Sequence, residues 1–131
     1  AEGKNLVKGL LFRSGERAAV LDAGSLPQAL AKISPKPDAP LTLEGYFDVP
    51  ADDLYQFQLR FKGKASLEVD SVPLHRPETQ GWSFMPVRLG RGTHRLKLAL
   101  EPGAAAAGLD LRFGNQGAQK VTAERFRCLP P

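Results

Sequence analysis

The stretch that decides the fold is "LYQFQLRF", residues 54–61, in which large apolar side chains occupy every second position. The odd-numbered side chains, from Tyr55 to Phe61, point to one side of an extended chain, whereas the polar residues between them point to the other. Because successive side chains of a strand lie on opposite faces of a sheet, this pattern predicts a strand with one buried and one solvated face.

The same period of two recurs along most of the chain beyond residue 40. Glycine- and proline-containing turns separate the segments, and "LGRGTH" (89–94) is interpreted as a hairpin turn. Short strands at this spacing predict an all-β fold, an antiparallel, jelly-roll-like β-sandwich. Pro86 predicts an edge position or a bulge for its strand, because proline has no N–H to donate. The further predicted strands are "LTLEGYFDV" (41–49), "KASLEVD" (64–70), "WSFMPVRL" (82–89), "HRLKLALE" (94–101), "GLDLRFG" (108–114) and "VTAERFRC" (121–128).

The first forty residues have a different pattern. "LVKGLLF" (6–12) and "AAVLD" (18–22) are candidate strands, and "SLPQALAKI" (25–33) carries apolar residues at helical spacing. Ser25 is a favourable N-cap and Pro27 suits the first turn, so one short helix is predicted near residues 26–33.

Length and composition limit the kind of protein. A chain of 131 residues is expected to form a single domain, residues 1–131, which is either a whole protein or part of a larger secreted one. No apolar run approaches the ~18 residues of a membrane span, so no membrane insertion is expected. The net charge of +4 is too small to indicate a specific nucleic-acid partner. The single cysteine, Cys128, cannot form an internal disulfide and is predicted to be a buried or edge-strand thiol.

The titratable residues do not group into a recognisable catalytic or metal site. His75 and His94 are far apart in sequence, and neither has a carboxylate at metal-ligand spacing. His94 is in register with apolar residues of its strand and is expected to be a structural histidine. Glu68 and Asp70 share a strand face, but the alternation turns that face outward. The sequence therefore predicts a protein that is not an enzyme and that carries no cofactor and no metal.

Basic residues are concentrated in the middle of the chain. If strands 54–61 and 94–101 belong to one sheet, Arg60, Arg95 and Lys97 share its polar face. Such a face is either an ordinary solvated surface with a positive bias or a patch that binds an anionic polymer.

Four segments follow one another in a characteristic order over residues 42–114: "GYFDVPADDLYQFQL", "GKASLEVDSVPL", "WSFMPVRLGRGTHRLKLAL" and "GLDLRFG". In this order and spacing they resemble the protective-antigen β-sandwich family, known as the PA fourteen domain. The resemblance implies a secreted, periplasmic or cell-surface module. Members of this family often bind carbohydrate and are usually attached to something larger.

The resemblance also implies where a calcium ion would be held. In the lectin-like members, two consecutive aspartates bind calcium in the turn just before the "L-x-V/I-D" strand. Here that turn has the sequence Lys62-Gly63-Lys64-Ala65. Calcium needs several oxygen ligands, with carboxylates supplying most of the charge, and two ammonium groups repel a cation. The chain is therefore identified as a divergent member that lacks the calcium-binding aspartate pair, since Asp52 and Asp53 match the preceding turn instead.

These observations predict a non-catalytic binding module of an exported or cell-envelope protein, which recognises a glycan or a neighbouring envelope protein without calcium. The alternatives are a purely structural domain that packs against another part of a larger protein, and a binder of anionic polymer through a basic face. Function is expected in the loops at one end of the sandwich. Trp82 is either a ring that stacks on a sugar or a core residue. The candidate ligand-binding residues are Lys62, Lys64, Asp70, His75, Arg76 and Trp82.

Overall fold

The computed structural model describes residues 5–36, 39–74, 81–102, 105–115, 117 and 119–131. Within them the chain forms two antiparallel sheets, one short helix and one 3₁₀ turn, which confirms the predicted all-β sandwich. In chain order the elements are β1 (Val7–Lys8), β2 (Leu10–Ser14), β3 (Arg17–Leu21), α1 (Leu26–Ile33), β4 (Leu41–Val49), β5 (Asp53–Lys62), β6 (Ala65–Val69), β7 (Val72–Pro73), β8 (Gly81–Leu89), β9 (Gly92–Leu100), β10 (Ala105–Gly114), β11 (Gln119–Lys120), the 3₁₀ turn (Ala123–Arg125) and β12 (Arg127–Cys128).

The strands divide between a large sheet and a small sheet. The large sheet has eight strands in the order β1-β12-β4-β9-β6-β7, and β2 pairs with β4 and with β3 beside this path. The small sheet has four strands in the order β11-β10-β5-β8. β8 is thus an edge strand, as Pro86 predicted, and this proline faces outward opposite Gln56 of β5.

The inner faces of the two sheets meet in one apolar core. The alternation in β5 is realised as predicted, because Tyr55, Phe57, Leu59 and Phe61 are all buried. Aromatic rings connect the sheets at one point of this core. Phe47 of the large sheet lies 6.1 Å from the ring of Phe57, and Phe113 lies 4.5 Å from Phe57 on the neighbouring strand of the small sheet. Edge-to-face and tilted contacts of this kind add to the free energy gained from burying the apolar area.

The predicted helix is present with the predicted cap. The Ser25 hydroxyl accepts a hydrogen bond from the Gln28 backbone, and the Gln28 side chain accepts one from the Ser25 backbone, which together form a capping box. α1 buries Leu26, Ala29 and Leu30 in the core and packs against β10. No helix among the described residues is long and apolar enough to span a membrane.

The predicted C-terminal strand over residues 121–128 is wrong. Only Arg127 and Cys128 are in a strand, and residues 123–125 form the 3₁₀ turn. The buried side chains of Ala123 and Phe126 are three residues apart, whereas buried side chains of a strand are two residues apart. Phe126 fills the space above Gly45, where an added Cβ would come within 3.1 Å of Phe126. The 3₁₀ turn brings the phenyl ring to this position.

The interpretation of "LGRGTH" as a hairpin turn is also wrong. β8 belongs to the small sheet and β9 to the large one, so Gly90 and Arg91 carry the chain across the sandwich. The Arg91 backbone N–H donates a hydrogen bond of 2.6 Å to Asp52 Oδ1. Asp52 lies in the connection from β4 to β5, which also carries the chain from one sheet to the other. The turn residues are those that both kinds of connection use, so the sequence alone does not distinguish a hairpin from a crossing.

Cys128 is a buried free thiol, as predicted. Desolvation by burial raises the pKa of this thiol above its ordinary value. The reactive thiolate is therefore disfavoured, and Cys128 serves as a small apolar residue.

Candidate functional site

The structure brings only some of the predicted site residues together. Trp82 of β8 lies on the outer face of the small sheet, opposite Arg60 of β5. Lys62 follows Arg60 by two residues, at the end of β5. Lys64 is exposed on the other side of Gly63, where the chain crosses to the large sheet. Asp70 lies at the opposite end of β6 from Lys64. His75 and Arg76 lie outside the described residues.

Trp82 is half-buried on a sheet surface and is not a core residue. It is directly opposite Arg60 of the adjacent strand β5. The guanidinium carbon of Arg112, from β10, lies 4.2 Å from the centroid of the indole ring, and that of Arg60 lies 5.2 Å from it. Both arginines make cation–π contacts, so the indole ring and two guanidinium groups form one unit across three strands.

Further side chains extend this unit along the outer face. Gln58 lies opposite Arg112 of β10 and Phe84 of β8. Its side-chain amide donates a hydrogen bond of 3.4 Å to the Gln56 side-chain oxygen. The Phe84 side chain is 58% exposed. The outer face thus offers an aromatic ring, side-chain amides and guanidinium groups in adjacent positions.

Four basic residues lie on the outer face of the small sheet along β5, β10 and β11, and we call them the basic patch: Arg60, Lys62, Arg112 and Lys120. Lys120 lies directly opposite Arg112. The acidic residue among them is Asp110, which is only 1% exposed. Its carboxylate lies 4.0 Å from the Lys120 ammonium and accepts a hydrogen bond from the Leu111 backbone. The positive charge of the patch is therefore only partly balanced within the described residues.

The predicted shared face of Arg60, Arg95 and Lys97 is wrong. Arg60 lies in the small sheet, whereas Arg95 and Lys97 lie in the large one, and the two outer faces point in opposite directions. The period of two places each side chain on a face of its own strand, but it does not say which strands are neighbours. The outer face that carries Arg60 instead holds Arg112 and Lys120, which sequence reasoning missed. The signal for Arg112 was its outward position in "GLDLRFG".

Asp70 is committed to the fold. It lies in the turn between β6 and β7 with a positive φ of 54°. One carboxylate oxygen accepts the Arg95 backbone N–H at 2.9 Å, and the other accepts the His94 Nδ1–H at 2.6 Å. The His94 Nε2–H donates to the Gly90 carbonyl at 2.7 Å. Both ring nitrogens of His94 are thus occupied, as expected for a structural histidine.

The pKa of His94 is the result of opposing effects. Desolvation by burial lowers it, but the hydrogen bonds to Asp70 and to the Gly90 carbonyl, with the charges of Asp70 and Asp48, raise it above its usual value. Donation from both nitrogens requires the imidazolium form. Protonated His94 therefore links the β6–β7 turn to the crossing at Gly90 through two hydrogen bonds, and we call this link the charged tie.

A shallow cleft of about 380 Å³ beside this tie lies on the large sheet, and its charges are paired. Arg95 contacts Glu44 at 2.5 Å, and Arg127 contacts Asp48 at 3.0 Å. Hydrogen bonds from Thr93 and Arg127 lower the pKa of the Asp48 carboxyl, so this group stays ionised. The arginines that line this cleft are therefore paired with acids, in contrast to Arg60 and Arg112 of the small sheet.

The position of the expected calcium pair is the crossing between β5 and β6. Gly63 has a φ of +90°, which favours glycine, and both flanking lysines are exposed. Among the described residues no group of three or more histidine, cysteine or acidic side chains is placed to hold a metal ion.

The sequence matches no protein-family model and no curated protein. The structure, however, is similar to solved ones. An anti-sigma factor domain-containing protein superimposes with a TM-score of 0.71 at 14% identity, covering 98% of this chain and 51% of that one. The chain therefore spans about half the length of that protein.

Two carbohydrate-related structures have the same fold. The PA14 sugar-binding domain from an RTX adhesin has a TM-score of 0.60 at 16% identity, covering 94% of this chain and 77% of that one. The Epithelial Adhesin 9 A domain from Candida glabrata, in complex with Galβ1-3GlcNAc, has a TM-score of 0.59 at 12% identity, covering 95% and 70%. The fold is thus PA14-like, as the sequence resemblance implied.

Proposed function

We propose that this domain is a non-catalytic module that binds a glycan without calcium, and that it does so on the outer face of the small sheet. The observation that carries the proposal is the half-buried Trp82, placed beside the exposed Phe84 and the Gln58 amide on one flat surface. Sugars present an apolar C–H face to aromatic rings and hydroxyl groups to amides and guanidinium groups, so this combination suits them.

The non-catalytic part of the proposal is supported by how the described titratable groups are used. His94 and Asp70 hold each other and the backbone of two loops. Asp48 is engaged by Thr93 and Arg127. An acid/base pair needs groups that are free to exchange protons with a substrate, and these side chains have structural partners instead.

Calcium independence is supported by the charges at the β5–β6 crossing. The ammonium groups of Lys62 and Lys64 are exposed on either side of Gly63. A cation brought to this turn meets two like charges and no carboxylate from the turn itself.

The structural neighbours support the choice of a glycan and of an exported location. The adhesin domains named above are a sugar-binding domain and a domain solved with a disaccharide. The anti-sigma factor domain-containing protein is about twice as long as this chain, which supports a module that works as part of a larger secreted, periplasmic or cell-surface protein.

A glycan array probed in the presence of a calcium chelator tests the proposal. We expect binding to at least one glycan, unchanged when calcium is restored. Trp82→Ala should weaken that binding by about threefold to tenfold, whereas Val72→Ala, which truncates a 59% exposed side chain of the large sheet, should leave it intact. Thermal melting of both variants checks that they are folded. Binding that requires calcium, or that is unchanged in Trp82→Ala, would contradict the proposal.

A second candidate function is supported by exposed apolar side chains on the same face. Leu54 is 50% exposed and Phe84 is 58% exposed, and both point away from the core of the small sheet. Such side chains also suit packing against another part of a parent protein. Hydrogen exchange compared between the domain alone and the longer protein distinguishes the two, because packing would add protection along β8 and glycan binding would not.

A further inference from the structure

The basic patch carries a more specific inference about the ligand. The two guanidinium groups of Arg60 and Arg112 lie over the Trp82 ring, 5.2 and 4.2 Å from its centroid. A ring covered in this way presents N–H donors to a ligand more than it presents a bare aromatic face. The ligand groups that match it best are therefore anionic oxygens.

The geometry keeps the guanidinium groups available. Arg60 Nε donates to the Gly108 carbonyl at 3.1 Å, which fixes one edge of the group and leaves its terminal nitrogens free of that bond. Arg60, Lys62 and Arg112 have no carboxylate within ion-pair distance among the described residues, and Asp110 is buried beside Lys120. Planar guanidinium groups bind carboxylate and sulfate through two parallel hydrogen bonds.

The spacing of the patch suits a chain of acidic groups better than a single ion. Arg112 and Lys120 are cross-strand partners, so their Cα atoms are ~5 Å apart. Arg60 and Lys62 are two residues apart on one strand, a rise of about 6.7 Å. The basic residues are thus distributed over three neighbouring strands and do not converge on one point, which suits a ligand that carries several anionic groups.

The rest of the face argues for a sugar polymer over an acidic peptide or a nucleic acid. Gln56 and Gln58 offer amide groups next to the patch, and Phe84 offers an exposed ring. Hydroxyl groups and pyranose C–H faces use both, whereas the carboxylates of an acidic peptide use neither. The bases of a single-stranded nucleic acid also stack on rings, but the net charge of +4 is small for a nucleic-acid binder. Around the cleft on the large sheet, by contrast, Arg95 and Arg127 are paired with acids.

We propose that the ligand is an acidic glycan, bearing carboxylate or sulfate groups, that lies across β10, β5 and β8 with its anionic groups on the basic patch. The inference rests on the proposed function, since it names the class of glycan that the same face takes. It goes beyond that function in assigning the affinity mainly to Arg60 and Arg112 and less to sugar stacking on Trp82.

Calorimetric titration with matched oligosaccharides tests the inference. The probes are oligogalacturonate, its fully methyl-esterified and therefore neutral form, and sulfated chondroitin and heparin oligosaccharides. We expect at least one acidic probe to bind and to lose affinity by about tenfold or more as NaCl rises from about 0.05 to 0.5 M. If oligogalacturonate is that probe, its methyl ester should bind at least about tenfold more weakly.

Charge-matched variants locate the site. Arg112→Gln and Arg60→Gln should each weaken binding of the acidic probe by about tenfold, since each removes a charge-assisted hydrogen-bonding group. Arg13→Gln makes the same change in net charge at an exposed position of β2 in the large sheet and should have little effect. Circular dichroism confirms the fold of each variant.

The outcomes separate the inference from the function on which it rests. Binding of neutral glycans alone, with loss on Trp82→Ala, would overturn the acidic ligand and leave the glycan module standing. Equal affinity for polyglutamate or single-stranded DNA would overturn a sugar ligand and indicate general polyanion binding. Binding of no glycan would overturn both proposals.

Discussion

At the residue scale, the packing around one glycine explains why the C-terminal segment departs from strand geometry. Gly45 of β4 is buried, and a Cβ there would lie 2.8 Å from Leu10 Cδ2 and 3.1 Å from Phe126 Cβ. We expect Gly45→Ala to lower the free energy of unfolding by about 1–3 kcal/mol through overpacking. Gly90→Ala is the matched control, because the nearest atom to its Cβ is Asp52 Oδ1 at 3.7 Å. Chemical denaturation measures both, and equal stabilities would contradict this account of the packing.

The charged tie at His94 is also a property of single residues, and it predicts a pH dependence. The pKa of His94 is raised in the folded protein, because its bonds to Asp70 and to the Gly90 carbonyl outweigh desolvation. Protonated His94 therefore stabilises the fold fully below the unfolded value of about 6.5. This stabilisation is lost as the pH rises through the folded pKa.

Thermal melts between about pH 5.5 and 9 test the sign of this effect. We expect the melting temperature of the wild-type protein to fall with rising pH over this range more than that of His94→Gln, which lacks the titrating group. Proton NMR of the imidazole ring gives the pKa directly. A pKa of His94 below 6.5 would show that desolvation outweighs the hydrogen bonds to Asp70 and the Gly90 carbonyl, and it would contradict a protonated His94 in the folded protein.

At the element scale, the helix and the strands were predictable, but their partners were not. The period of two in β4, β5 and β9 and the cap at Ser25 are local signals, so the sequence predicted these elements. The turns at Gly63 and Gly90 have ordinary turn residues, yet each carries the chain between sheets. Which strands pair depends on how the apolar faces meet in three dimensions, and no local pattern records this.

The capping box of α1 gives a prediction at the same scale. We expect Ser25→Ala to destabilise the protein by about 0.5–2 kcal/mol, because the Gln28 backbone N–H loses its acceptor. Ser25→Asp should retain most of the stability, since aspartate also caps helices and suits the positive end of the helix dipole. Denaturant unfolding measures both variants, and an Asp variant no more stable than the Ala variant would argue against the cap as the cause.

At the scale of the whole molecule, the two outer faces differ in electrostatics. On the large sheet Arg95 is paired with Glu44, and Arg127 is paired with Asp48. On the small sheet the basic patch faces the single buried carboxylate of Asp110. The net charge of +4 was evident from composition, but its concentration on one face follows from the strand order.

The candidate site was predictable only in part for the same reason. Sequence reasoning selected Trp82 and Lys62, which the fold places on one face, and also Asp70, which the fold uses to hold His94. It missed Arg112, which comes from β10 and reaches Trp82 only across β5, and it missed Lys120 of β11, which lies opposite Arg112. A site assembled from the middles of three strands leaves no contiguous motif in the sequence.

The central claim, that a glycan binds across the outer face of the small sheet, is tested most directly by NMR mapping with a bound oligosaccharide. Amide shifts of the isotopically labelled domain would be followed during titration with the tightest-binding probe. We predict shifts concentrated in β5, β8 and β10, with the Trp82 indole N–H among the largest. Shifts confined to the crossing at Gly63 and to residues of the large sheet would contradict the claim and would indicate that the ligand binds elsewhere, at the loops or on the large sheet.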